Sequence, residues 1–440
     1  MSKVRIFITF FSILILVQGL NAQTQNPEAL LDMLNLIRKE KINLVLPQAM
    51  RDNNVDMWIH VMRSGNPDPL RIDLGGDSGV FIFTDRGGDR IERAVFGNIL
   101  DTGRSIEGSR GESAVQKIRQ FVSERDPKSI AVNSSDWIAI ADGISHADYL
   151  KLVDTLGDKY ADRLVSSENV ITDFRMRRVM SEIVFYGELC KLTVEMIEKA
   201  LDIIETGVTT LKDVSLWLRD WSMARGFGSG NQFGGAGVFL RDPDGDENDA
   251  DDHVIQGGDL IHVDFGVQMM NYGTDIKRVA YILREGETEL PPEIQNSWDH
   301  ALKAREVFRR NIRMGRTAGE TLEIIENKLE EAGYFYNPAD EYDRNADPEK
   351  TQIHIDMHPV GNTGHGDVAV GPRISPFVPD RLHLVIPNYF LFAFEYMIHM
   401  PVPSWGPGKH IYLAIEDDVI VTERGIEFLY PPIKQIRVIR

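Results

Sequence analysis

Two glutamates sit inside strand-like apolar runs, and they constrain this chain more than any other feature. Glu395 interrupts "NYFLFAFEYMI", where it shares a strand face with Leu391 and Ala393. Glu416 interrupts "HIYLAIEDDVIVT", on a face with Tyr412 and Ala414. An unpaired buried carboxylate costs several kcal/mol, so such groups are paired, protonated or bound to metal.

Two aspartates join them. "DLIHVDFGVQMMNYGTDIKRVAYIL" reads as two strands around a turn near Asn271-Tyr272-Gly273. Opposed residues of a hairpin keep a constant index sum. With the turn centred near Met269 and Met270, Asp264 falls opposite Asp275, on one face with His262. Cations that could pair four such acids are few: Lys277 and Arg278 follow Asp275, and Lys409 precedes the last strand. Each acid taken singly is explicable as a polar strand end. The set, together with His358 and His365 seven positions apart in "HPVGNTGHGDV", points instead to bound cations. Two divalent ions sharing bridging carboxylates would neutralise all four acids.

The rest of the chain bounds the context. Its 440 residues allow two or three domains with large cores, and 42% hydrophobic content is ordinarily globular. A net charge of -19 argues against a nucleic-acid partner on electrostatic grounds and modestly favours cationic ligands. The opening "MSKVRIFITFFSILILVQGLNAQTQN" has the order of an export signal: Lys3 and Arg5, a greasy run from Ile6 to Leu20, then Asn21-Ala22. The run is short for a membrane span, so cleavage after Ala22 is expected, with no stable membrane anchor. Losing Lys3 and Arg5 takes the charge from -19 to -21. The product would be periplasmic or extracellular. Cys190 is the only cysteine, so no internal disulfide forms, and it reads as a buried structural thiol in a helix.

Residues 27 to about 170 alternate helical patterns ("PEALLDMLNLIRKEKI", "HADYLKLVDTLG") with strand-like runs ("SGVFIFTD", "SIAVN"), the texture of an α/β domain. His60 and Trp58 there are explained by a packed strand and a turn. From about Thr172 long helices follow, closed by Gly207 and Gly226. The acidic loop "RDPDGDENDADDH" is not a calcium loop of the EF-hand type, because its sixth position from Asp242 is Glu247 rather than glycine. The glycine-rich "GFGSGNQFGGAG" lacks phosphate-loop spacing, and no internal repeat is visible.

"HVDFGVQMMNYGTDIKR", "HPVGNTGHGDV", "FAFEYMI" and "IEDDVIVTERG" resemble, in order and spacing, the metal-site motifs of the pita-bread metallopeptidases. That family includes aminopeptidase P, prolidase, methionine aminopeptidase and the metal-free creatinase. The resemblance runs from about residue 172 to 430 and is nearest the Xaa-Pro aminopeptidase type. It implies an α+β architecture: a smaller creatinase-type α/β domain over 23–170, after a signal peptide over 1–22, then a pita-bread catalytic domain over 171–440. That catalytic domain is a curved antiparallel sheet backed by helices.

The metal ligands it implies are Asp264, Asp275, His358, Glu395 and Glu416, holding two divalent ions, with manganese expected and zinc or cobalt as alternatives. Asp275 and Glu416 would bridge the ions, with Asp264 on one and His358 on the other. Glu395 would also take the proton from the attacking water, and His365 would bind the developing oxyanion. A competing register makes His365 the ligand, but only His358 leaves a second histidine seven positions downstream. The implied activity is hydrolysis of peptides near a free amino terminus, with a peptide substrate and a homodimer as expected partners. Three positions depart from the family pattern. The upstream catalytic histidine has only His253 as a candidate, Ala414 replaces an arginine, and Gly366 replaces an acid. The alternatives are a fold-retaining metal- or partner-binding protein with weak turnover, and a creatinase-like small-molecule hydrolase.

Overall fold

The computed structural model describes residues 27–88, 90–96, 112–229, 237–241, 247–248, 252–362 and 370–440. The export segment, most of the glycine-rich and acidic stretches, and the run holding His365 and Gly366 lie outside the described residues. The chain divides into two compact units, 1–184 and 185–440.

The first unit contains α1 (Pro27–Glu40), α2 (Leu46–Asp52), β1 (Met57–Met62), β2 (Gly79–Asp85), β3 (Ile91–Phe96), α3 (Glu112–Arg125), β4 (Ile130–Val132), α4 (His146–Leu156), β5 (Leu164–Ser166) and α5 (Glu168–Met176). Its mixed sheet runs β3-β2-β1-β4-β5, with β1 antiparallel to β2 and parallel to β4. All six residues of β1 are buried, as a central strand covered on both faces requires. That is why "MWIHVM" shows no alternation. His60 fits there because its Nε2 lies 3.0 Å from Asp68 Oδ1 in the following turn. Ser145 caps α4 by accepting from the Asp148 N–H, and Gly157, at a φ of 69°, ends it.

The second unit opens within α6 (Met180–Leu201) and continues with α7 (Leu211–Ala224), β6 (Gly237–Arg241), β7 (Leu260–Phe265), β8 (Ile276–Ile282), α8 (Pro292–Asn311), α9 (Ala318–Glu331), β9 (Gln352–Ile355), β10 (His358–Pro359), β11 (Phe390–Pro401), β12 (His410–Thr422), β13 (Gly425–Phe428) and β14 (Arg437–Ile439). One sheet sets β14, β8, β7 and β6 side by side, and another runs β9-β11-β12-β13 with β10 also on β11. Helix α8 buries Ile294, Trp298, Ala301, Ala304 and Phe308, a 3.6-period stripe. Phe308 packs on Phe394 and Tyr396, and the Tyr396 hydroxyl donates to the Ala301 carbonyl. The face of β11 carrying Phe394 and Tyr396 is therefore turned to the helix. Glu395 points the other way. Among the described residues no helix is long and apolar enough to cross a membrane.

Candidate metal centre

The hairpin carrying the two aspartates has a register two positions away from the expected one. Lys277, not Asp275, is the direct cross-strand partner of Asp264, and Ile276 pairs with Phe265. The turn falls at Met270 and Asn271, where Met270 takes a φ of 56°, the left-handed region. Because the side-chain period is two, a shift of two leaves every residue on its expected face. Asp264, Asp275 and Lys277 therefore share one face, and His262, further along it, lies against Tyr412 with rings 5.8 Å apart.

Strands β11 and β12 bring the glutamates together as direct partners, Glu395 opposite Glu416. Strand β10 lies on the other side of β11, pairing His358 with Ala393. His358 Nε2 comes 3.4 Å from Glu416 Oε1, 3.6 Å from Glu395 Oε2 and 3.9 Å from Asp275 Oδ2. Its Nδ1 lies 3.3 Å from the Pro359 carbonyl, so a neutral imidazole with its proton on Nδ1 would turn the Nε2 lone pair toward a bound ion. Donor atoms of Asp275, His358 and Glu416 all lie within 4.8 Å of one another. Ligands of one ion, each about 2.1 Å from it, stand roughly 3 to 4.2 Å apart, so a small inward shift of these side chains would let the group hold a divalent cation.

The Asp264 half is different. There the Lys277 Nζ lies 2.5 Å from Glu395 Oε1, 2.6 Å from Glu416 Oε2 and 3.3 Å from Asp264 Oδ2. The structure thus brings together all four expected carboxylates and His358, with the Lys277 ammonium, one of the few cations available to them, in their midst. Its signal was present: residue 277 alternates onto the face of residue 275.

Behind these groups stand two acids that sequence reasoning passed over. Asp418 shares the face of Glu416, and its Oδ2 accepts from the Asp275 N–H at 3.1 Å and lies 2.8 Å from the Tyr186 hydroxyl. Tyr186, Cys190 and Thr193 form one stripe of α6 facing this region. The Cys190 thiol reaches Asp418 Oδ2 at 3.5 Å, and Thr193 meets Thr274 at 2.7 Å. Asp417, on the opposite face, accepts from Arg278 and Tyr430, both at 2.9 Å.

Burial and the neighbouring Asp275 carboxylate push Glu416 well above the usual carboxylate range. Asp264, with 30% of its side chain exposed, is pushed up to about 6, chiefly by burial. Burial alone would lower the Lys277 ammonium, but Asp264, Glu395, Glu416 and Asp275 together raise it well above its ordinary value. Glu395 goes the other way: burial opposes its charge, yet Lys277 and His358 hold it below its ordinary value. The cluster carries more negative charge than one ammonium offsets, which is the condition under which a divalent cation binds.

A profile of metallopeptidase family M24 matches residues 186–423, more than half of the chain. The chain belongs to metallopeptidase family M24. The matched span begins at Tyr186 and encloses Asp264, Asp275, His358, Glu395 and Glu416. No curated protein matches the chain.

Solved structures similar to this M24 member include an X-Pro aminopeptidase from Thermotoga maritima MSB8, with 18% identity and a TM-score of 0.62 over 89% of this chain and 100% of that one. An Xaa-Pro dipeptidase from Bacillus anthracis has 18% identity and a TM-score of 0.57, over 91% and 99%. A prolidase from Pyrococcus horikoshii OT3 has 18% identity and a TM-score of 0.55, over 90% and 99%. At that identity the likeness is one of fold. It agrees with the expected α+β, pita-bread architecture.

Proposed function

We propose that this M24 member is an exported, metal-dependent peptidase that hydrolyses peptide bonds near a free amino terminus, of the Xaa-Pro type. The observation carrying this reading is the convergence of His358 Nε2 on Asp275, Glu395 and Glu416 within a family-M24 span. Asp275, His358 and Glu416 would hold a divalent ion, manganese before zinc or cobalt, with Glu395 beside it. Bound there, such an ion would supply Lewis acidity and lower the pKa of a nearby water toward neutrality.

The chain's own groups do the rest. Glu395 presents Oε2 to the side of His358 and accepts the proton of the attacking water, while Oε1 stays on Lys277. Ionised but weakly basic, it then passes that proton to the leaving amine. Asp418 holds the Asp275 backbone, so the carboxylate need not reorganise during the reaction. His365, from its place in the motif, donates to the developing oxyanion. The excess carboxylate charge attracts the cationic amino terminus of a peptide. Preference for proline is supported by the fold neighbours, among them an X-Pro aminopeptidase and an Xaa-Pro dipeptidase.

The deciding assay offers the mature chain a panel of peptides with proline or alanine at the second position, with and without chelator. Cleavage that needs proline and stops on chelation is expected; no cleavage of any peptide by metal-loaded protein sinks the reading. Export is tested separately. The amino terminus of the cell-free form should be Gln23, and an intact Met1 would refute processing after Ala22.

Lys277 favours a second reading, in which the fold holds metal or a partner with weak turnover, because the ammonium occupies half of the acidic cluster. Stoichiometric metal binding with no cleavage in the same panel would select it.

A further inference from the structure

Each of the two glutamates divides its oxygens between two sides. Glu395 gives Oε1 to Lys277 and turns Oε2 to His358; Glu416 gives Oε2 to Lys277 and turns Oε1 to His358. Carboxylates arranged in this way bridge two cations. On the His358 side the donors suit a divalent ion. On the Asp264 side a cation is already in place, and it belongs to the chain.

We infer that the Lys277 ammonium replaces one of two divalent ions in this centre, so that the protein takes a single divalent ion, at Asp275, His358 and Glu416. The inference rests on the proposed metal-dependent reading for the single ion, but the role of Lys277 stands on its own contacts. An ammonium has three N–H donors, and three carboxylates surround this one, at Asp264, Glu395 and Glu416. Lys277 is 8% exposed. Its backbone is tied down as well: it pairs with Asp264 across the hairpin, and the Arg278 guanidinium donates to its carbonyl at 2.7 Å while also binding Asp417.

An incoming second ion would have to expel the ammonium from all three carboxylates and leave a buried cation without compensation. One divalent cation with Lys277 already offsets three of the four carboxylates. The consequence is chemical: an ammonium cannot be chelated and has no open coordination position, so this half of the site donates hydrogen bonds but takes neither water nor a substrate oxygen as a Lewis acid would.

The test is metal counting rather than turnover. The full mature chain, stripped by chelator, is titrated with Mn2+ in a calorimeter and analysed for bound manganese, alongside Lys277→Ala. One ion per wild-type chain and two per variant chain are expected. The difference between the two proteins tests the inference, and the wild-type count tests the proposed metal site. A wild-type count of two overturns the inference and leaves the proposed function standing. Equal counts of one also overturn the inference. Zero rising to one upholds the replacement and overturns the metal site on the His358 side. Zero in both overturns the two together. Should Lys277→Ala fail to fold, Mn2+-soaked wild-type crystals decide the matter by anomalous scattering. A single peak beside His358 upholds the inference, and a second beside Asp264 overturns it.

Discussion

His358 and His365 were assigned from one spacing, yet they make separable predictions. His358 reaches Asp275, Glu395 and Glu416 through Nε2, so His358→Ala should lose the ion and activity together, with part of the activity returning in excess metal. His365→Ala should keep the ion and lose turnover roughly a hundredfold, the usual cost of one oxyanion donor. Metal analysis alongside kcat separates them, and the reverse pattern would make His365 the ligand. Cys190 was read as structural, and it is fully buried at 0% exposure. Burial and the neighbouring Asp418 carboxylate raise its thiol well above its ordinary value, so the thiolate is scarce at neutral pH. A thiol reagent should therefore leave the native protein untouched and label it only on unfolding, and Cys190→Ala should retain metal and turnover. Rapid labelling of the native chain would contradict this. Lys277 was visible as a cation near four acids, but alternation alone could not say which acid it faces.

At the scale of elements, alternation assigned Glu395, Glu416, Asp264 and Asp275 to their faces, and the observed strands keep those faces. Register was the part that slipped, because a turn centred one residue later moves each partner by two. The first unit offers an independent test of burial. Lys41, in a π-helical turn between α1 and α2, is 4% exposed; its Nζ donates to the Arg177 carbonyl at 2.7 Å and lies 3.5 Å from Glu182. Desolvation lowers it to about 8, with Glu182 opposing. Below pH 8 both folded and unfolded chains carry the charge, and its burial counts fully against folding. Between 8 and the ordinary value of 10.5 the folded lysine sheds its proton while the unfolded one keeps it. The unfolded state then binds more protons, so stability rises with pH through that window. Denaturation of wild type and Lys41→Met across it should show wild type gaining by at most about 3 kcal/mol relative to the variant. A flat difference would mean the lysine titrates normally.

For the whole molecule, the elements that carry the proposed metal ligands all lie in the 185–440 unit. A ligand stabilises what it binds by mass action, about 2.7 kcal/mol at a hundredfold excess over Kd. Hydrogen exchange of the full chain with and without Mn2+ should show added protection in β7, β8, β10, β11 and β12, and none in β1 to β5. Protection spread evenly over both units would show that the ion's effect is not local to the proposed centre.

Sequence alone determined which residue types were carried on which strand faces, because periods of two and 3.6 are local properties of the backbone and leave their mark on neighbouring residues. It also located the acids whose burial demanded a cation. Only the tertiary structure decided what supplies that cation in the Asp264 half. Lys277 is 118 residues from Glu395 and 139 from Glu416, so their meeting depends on how separate strands are brought together. No local pattern encodes it, since the ammonium is held there by three carboxylates that only folding gathers at one point.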